Sequence, residues 1–169
     1  MSTSVTQRFE SSLTDIGVSI TRTESETFAS TLDAVVAEPA VGVPLEGYGG
    51  VSLADTVVET PPTPRLLRTA RTGVTPVSKA IAAYGTLVLD SDAAGTEPVS
   101  LYPPTHVAVV RESDVLPDVE SATDHLAERF AAGGSSVFAT GVSATGDMGA
   151  LVEGVHGPTN VEVVLLTDR

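Results

Sequence analysis

"HVAVVR", residues 106–111, is a near-continuous apolar run of strand length. Valine-rich runs of this kind form strands buried on both faces, as in a parallel sheet covered by helices. The chain that follows agrees with that reading. "DVESATDHLAERFAAGG" (118–134) has an acidic start, apolar spacing through Val119, Leu126 and Phe130, and a glycine stop, which together predict a helix. "SSVFAT" (135–140) and "VEVVLL" (161–166) then predict two more strands. Upstream, Phe9, Leu13 and Ile16 recur at helical spacing before Gly17, and "VSITR" (18–22) alternates as a short strand. "ESETFASTLDAVVAE" (24–38) predicts a helix stopped by Pro39, and "AVGVPL" (40–45) a strand. "EGYGGVSLADTVVETPPTP" (46–64) is expected to be a long surface connection with one short strand. Pro64 suits the first turn of a helix "PRLLRTAR" (64–71). Strand "GVT" (73–75), helix "PVSKAIAAY" (76–84), strand "GTLVLD" (85–90) and a turn-rich patch (91–104) complete the reading. Alternating helices and strands define an α/β class, a single domain over residues 1–169 with a mainly parallel sheet.

Composition narrows the function. The chain has 169 residues, 22 acidic against 9 basic, and a net charge of −13. So acidic a surface repels phosphate backbones, which argues against nucleic-acid binding. The acids are dispersed, with no run of five or six like charges, as expected of an acidic cytoplasmic protein from a high-salt organism. Cysteine is absent, which removes disulfides, thiolate nucleophiles and iron–sulfur ligation by this chain. The opening residues lack the pattern of a secretory signal, and no apolar stretch approaches the ~20 residues of a membrane span.

Candidate chemistry concentrates in "GVSATGDMGALVEGVHGP" (141–158). A glycine turn leading into a short helix near Asp147 would offer backbone N–H groups to an anion, with Ser143 and Thr145 adding hydroxyls. Asp147 would cap that helix or meet a ligand hydroxyl. The same residues equally describe a capped structural turn. The phosphate-loop and dinucleotide glycine patterns are both absent, and Gly141-Val-Ser143-Ala-Thr145 is not a nucleophile elbow. His156 is a candidate acid–base group, or a structural imidazole bonded to nearby backbone, while His106 opens the strand "HVAVVR" just after "YPPT". His125, in an acidic helix, is expected to be solvated. No histidine pair has metal-ligand spacing, so no metal and no cofactor is expected. Arg65, Arg68 and Arg71 recur every three residues on one predicted helix and would hold an anion or only balance the acidic surface. Lys79, the only lysine, is expected to be solvated.

The same stretch, followed by "VEVVLL", resembles the C-terminal signature of the LUD-domain family, the lactate utilization protein C group. Gly141, Ser143, Thr145, Asp147, Gly154, His156, Gly157 and Pro158 fall on that pattern. "GVTPVSKAIAAYGTLVL" (73–89) matches a second family block at Gly85 and Thr86, and "SLYPPTHVAVV" (100–110) a third at Pro103 and His106. The resemblance implies a doubly wound, mainly parallel-sheet α/β fold of the NagB/RpiA/CoA-transferase-like type. It also implies an accessory role in oxidising L-lactate to pyruvate, beside partner subunits that carry iron–sulfur clusters. Gly85, Thr86, His106, Gly141, Ser143, Thr145, Asp147, His156 and Gly157 are the ligand-binding candidates it marks, for a small anionic ligand or a redox partner; no catalytic residue is assigned. The sequence is a divergent member: Ala83, Gly149 and Thr159 stand where the family carries two acids and an arginine. Those losses favour binding over catalysis. An enzyme acting on a phosphorylated or acyl-carrier substrate and a non-catalytic assembly subunit are the competing expectations.

Overall fold

The computed structural model describes residues 4–45, 47–147, 150–153 and 156–169. Its helices are α1 (Val5–Asp15), α2 (Phe28–Val35), α3 (Pro64–Thr69), α4 (Thr96–Leu101) and α5 (Thr123–Ala131). Its strands are β1 (Ser19–Thr23), β2 (Ala40–Gly42), β3 (Val58–Glu59), β4 (Thr72–Pro76), β5 (Lys79–Ile81) and β6 (Thr86–Asp90). Then come β7 (Thr105–Arg111), β8 (Val115–Leu116), β9 (Ser136–Thr140), β10 (Ala144–Asp147), β11 (Ala150–Glu153) and β12 (Asn160–Leu166). Six strands form a central sheet in the order β1-β12-β7-β4-β2-β3, and every neighbouring pair is parallel.

The stretch "HVAVVR" is β7, near the middle of that sheet, and its apolar continuity has a direct cause. Ala108 and Val110 enter one core with Phe9 and Leu13 of α1, while Val107 and Val109 enter another with Phe28 and Leu32 of α2. Both faces are covered, so alternation has no role to play. α1 is set by a capping box at Ser4, whose hydroxyl accepts from Gln7 N while the Gln7 side chain accepts from Ser4 N. It ends at Gly17, whose φ of +72° is the left-handed turn expected after a helix.

A second, four-stranded sheet, β8-β5-β6-β9, covers the α1 face of the central one. β6 runs antiparallel to both β5 and β9, and β5 runs parallel to β8. This sheet overturns several expectations. "PVSKAIAAY" is not a helix; it leaves β4 and becomes β5. Val77, Ala80, Ile81 and Ala82 are fully buried while Lys79 is part-exposed and Tyr84 exposed, and the i, i+3, i+4 spacing of Val77, Ala80 and Ile81 imitates a helix face on what is a strand. "SSVFAT" is a strand, but it pairs antiparallel with β6 rather than joining the parallel sheet. The expected short helix at Asp147 is instead a hairpin, β10 against β11, with Asp147 paired to Ala150. The turn-rich patch contains α4, with Pro98 in its first turn, where a missing N–H costs no helical hydrogen bond. Asp92 accepts there from Gly95 N and Thr96 N. The long connection does hold one short strand, β3, but Leu45, Val51 and Leu53 are buried against the α2 face.

Candidate functional site

Beneath the second sheet, at the amino ends of β7 and β12, lies a cavity of about 340 Å³. His106 and Val161 form its floor, Ser100 and Leu101 of α4 one side, and β9 the opposite side. The segment 141–144 and the turn 156–158 close it. Its walls are mainly apolar, with Leu89, Val137, Ala139 and Val142 among them, and its polar groups include His106, Ser143 and His156. Neither lysine nor arginine is among the described residues that line it.

The closing segments are pinned by short backbone bonds. Ser143 N donates to Pro158 O at 2.9 Å. Thr159 N and Asn160 N both donate to Pro104 O, at 2.9 and 3.1 Å, and the Thr159 hydroxyl donates there too. The threonine that departs from the family pattern therefore has a structural task of its own. Gly157 lies against Ser143: a Cβ on Gly157 would come 3.1 Å from that of Ser143. Nothing larger than glycine fits without moving the serine.

His106 is 2% exposed, and its Nε2 lies 2.9 Å from the hydroxyl of Thr75, which is fully buried. Burial pushes the imidazole pKa down from 6.5 to about 4, so the ring is neutral at pH 7. A neutral imidazole bonded through one nitrogen keeps the other for a ligand, as donor or acceptor according to tautomer. His156 is exposed at the cavity mouth.

Of the nine candidate residues, five line this cavity: His106, Gly141, Ser143, His156 and Gly157. Thr86 stands one step behind, with its hydroxyl 2.8 Å from that of Thr140 on the wall. Gly85 packs elsewhere, against the last turn of α1, where a Cβ would lie 3.2 Å from Leu13 N. Thr145 and Asp147 belong to β10, and their side chains lie outside the described residues, as does Gly149 entirely. Open α/β sheets usually bind ligands at the carboxyl ends of their parallel strands. The loop does follow β9, but β9 is not in the parallel sheet, so the cavity sits at that sheet's amino edge.

The cationic candidates also change. Arg65 and Arg68 are exposed on α3, and Arg71 lies beyond its end, so the three share no helix face. Lys79 is not simply solvated: its Nζ lies 2.5 Å from Asp114 Oδ1, and Asp114 is 4% exposed. His125 is likewise engaged, its Nε2 being 3.1 Å from Asp90 Oδ2. Sequence reasoning missed Thr75 and Asp114, whose partners are 31 and 35 residues away along the chain.

Fold and cavity together define an α/β protein with a pocket of small-molecule size under a covering sheet. The family model described as LUD domain matches residues 6–166, and the chain belongs to that family. Lactate utilization protein C of Deinococcus radiodurans is 36% identical over 89 residues, which cover 52% of this chain and 42% of that protein. Lactate utilization protein C of Bacillus subtilis is 34% identical over 105 residues, covering 59% of this chain and 44% of that one. These matches take in less than half the length of either relative. A crystal structure of a DUF162 family protein from Deinococcus radiodurans has the same fold, with a TM-score of 0.72 over 96% of each chain at 24% identity. Among the described residues no helix is long and apolar enough to cross a membrane.

Proposed function

We propose that this chain is a cytoplasmic component of a lactate-utilization system, and that its cavity binds a small organic acid. The observation that carries the reading is that His106, Ser143, His156 and Gly157 line one pocket. An acid with a short apolar end suits the walls: the methyl of lactate or pyruvate would lie toward Leu89, Val137 and Val161. Its polar end would meet Ser143, the imidazole of His156 and the second ring nitrogen of His106. With no lysine or arginine in the described lining, hydrogen bonds rather than a fixed ion pair hold the acid, which suits weak and exchangeable binding. The names of the relatives support lactate as the substrate class, and subunits bearing iron–sulfur clusters would supply the electron transfer that a chain without cysteine does not ligate. Phe130 and Phe138, 57% and 43% exposed, offer apolar contacts for such a partner.

Calorimetric titration with L-lactate and with pyruvate, in molar salt to suit an acidic protein, tests the reading. Saturable binding of at least one acid is expected. Gly157→Ala, by pushing Ser143 aside, weakens it about tenfold with the fold intact, the effect of a crowding cost at the low end of the 1–3 kcal/mol range. Failure of both acids to saturate would reject the cavity as their site.

A further inference from the structure

The opposite, carboxyl edge of the central sheet holds a second pocket, of about 330 Å³, that none of the family-pattern residues lines. β4 and β7 are neighbours in the parallel sheet, and both leave it there for the second sheet, β4 into β5 and β7 into β8. The two departures open a gap at the carboxyl ends of adjacent parallel strands, where open α/β sheets receive ligands. Tyr48 closes the bottom of the gap: its hydroxyl donates to Val77 O at 2.7 Å and to Val109 O at 3.0 Å. Burial pushes its phenol up to about 12, so it remains a donor throughout the neutral range.

Basic groups gather around this gap in a chain that has only nine lysines and arginines. Lys79 Nζ and Arg111 Nε each lie 2.5 Å from a different oxygen of Asp114, so two cations share one buried carboxylate. The Arg111 guanidinium also stacks 4.5 Å from the centre of the Tyr48 ring, which fixes its plane. Across the gap, Asp90 is met by His125 at 3.1 Å, by the Ser136 hydroxyl at 2.6 Å and by Arg129 Nε at 3.9 Å. Of these groups Lys79, Arg111, Asp90 and His125 line the pocket, while Asp114 holds the two cations from behind and Arg129 lies outside the lining. Asp114 is therefore the clamp that holds Lys79 and Arg111 in place rather than the full counter-charge to both.

We propose that this pocket is an anion site that takes the carboxylate or phosphate group of a small molecule between Lys79, Arg111 and His125. Among the described residues, Lys79 keeps two N–H donors beyond the one that meets Asp114, and Arg111 those of its outer nitrogens. A small anion reaches these remaining donors, whereas a bulky polyanion meets Asp90 across the gap and is disfavoured. The site is distinct from the cavity of His106 and Ser143, so either can fail without the other.

The test is an amide-resolved NMR titration of the full chain with inorganic phosphate and, separately, with acetate, at constant ionic strength. Saturable shifts are expected at Ser78, Lys79 and Arg111 with one or both probes, and their relative affinities identify which oxyanion the pocket prefers. Lys79→Met is expected to weaken binding at least about tenfold, the effect of losing one charge-assisted bond. Lys79→Arg, which keeps the charge, is expected to stay within about threefold of the natural protein. Urea unfolding of each variant confirms that the Arg111–Asp114 pair still holds the fold. The proposal is overturned if neither probe saturates, if shifts fall only around Ser143 and Gly157, or if Lys79→Met binds as tightly as the natural chain.

Discussion

Lowering the pH from 7 to 4 is expected to cost the natural protein about 3 kcal/mol more stability than it costs the His106→Gln variant. The cause is the burial of one imidazole. Folded, His106 stays neutral until the pH nears its lowered pKa of about 4; unfolded, it takes a proton near 6.5. Between those values the unfolded chain binds more protons than the folded one, so the contribution is complete above about 6.5, declines as the pH falls, and levels off below about 4. Burial alone sets the shift; no charged neighbour contributes. The bond to Thr75 keeps the ring in its pocket without offering a counter-charge. Carboxylates titrate over the same range in a chain with 22 of them, so the readout is the difference between two curves. Urea unfolding of both proteins at half-unit steps from pH 4 to 8 gives it. Glutamine keeps a hydrogen-bonding group near Thr75 but has no proton to take up, so its curve should be flatter by the stated amount. Parallel curves would show that the imidazole is hydrated or charged in the folded state, and would remove the neutral ring on which the binding cavity depends.

That ring was visible in the sequence as a candidate; its environment was not. His106 opens the apolar run of β7, which announces a buried strand, yet Thr75 lies on β4, 31 residues earlier, and only the sheet register brings the two together. The same limit explains the second pocket, because Lys79 and Asp114 carry no local mark of one another. Elements with a polar and an apolar face were legible: α1 shows Phe9 and Leu13 inward, and its ending glycine is where helix chemistry puts one. β5 was not, because Val77, Ala80 and Ile81 are spaced as a helix face would be and only the pairing with β6 and β8 makes the segment a strand. α4 was hidden for a different reason: its proline and glycine are turn residues by habit, but Gly95 precedes the helix and Pro98 sits in its first turn. The hairpin of β10 and β11 followed from neither pattern. Its glycines and its lone Asp147 suited a capped helix equally well, and pairing with a partner strand is a tertiary fact.

Gly73→Ala is expected to destabilise the protein by about 3 kcal/mol or more, the upper range for overpacking a buried site. Gly73 lies in β4 between Val41 of β2 and His106 of β7, at the point where α4 crosses the sheet. A Cβ there would stand 2.1 Å from the carbonyl oxygen of Val99 and 3.1 Å from Pro103 Cγ. The first of these is helix backbone, so no side-chain rotation relieves the overlap; α4 itself must lift. Val99 is fully buried, and Ser100 and Leu101 beside it line the cavity, so lifting the helix spoils a core and a binding wall together. A glycine of the other kind supplies the comparison. Gly17 has open space around its missing side chain but a φ of +72°, so Gly17→Ala costs only the left-handed backbone strain, about 1 kcal/mol. Thermal and urea unfolding of the two variants should therefore rank Gly73→Ala well below Gly17→Ala in stability. Binding should separate them as well: the Gly17 variant keeps whatever affinity the cavity has, and the Gly73 variant loses it even under conditions where most molecules are folded. Equal costs for the two would mean that α4 yields easily, and the close approach of helix to strand would no longer account for glycine at that position.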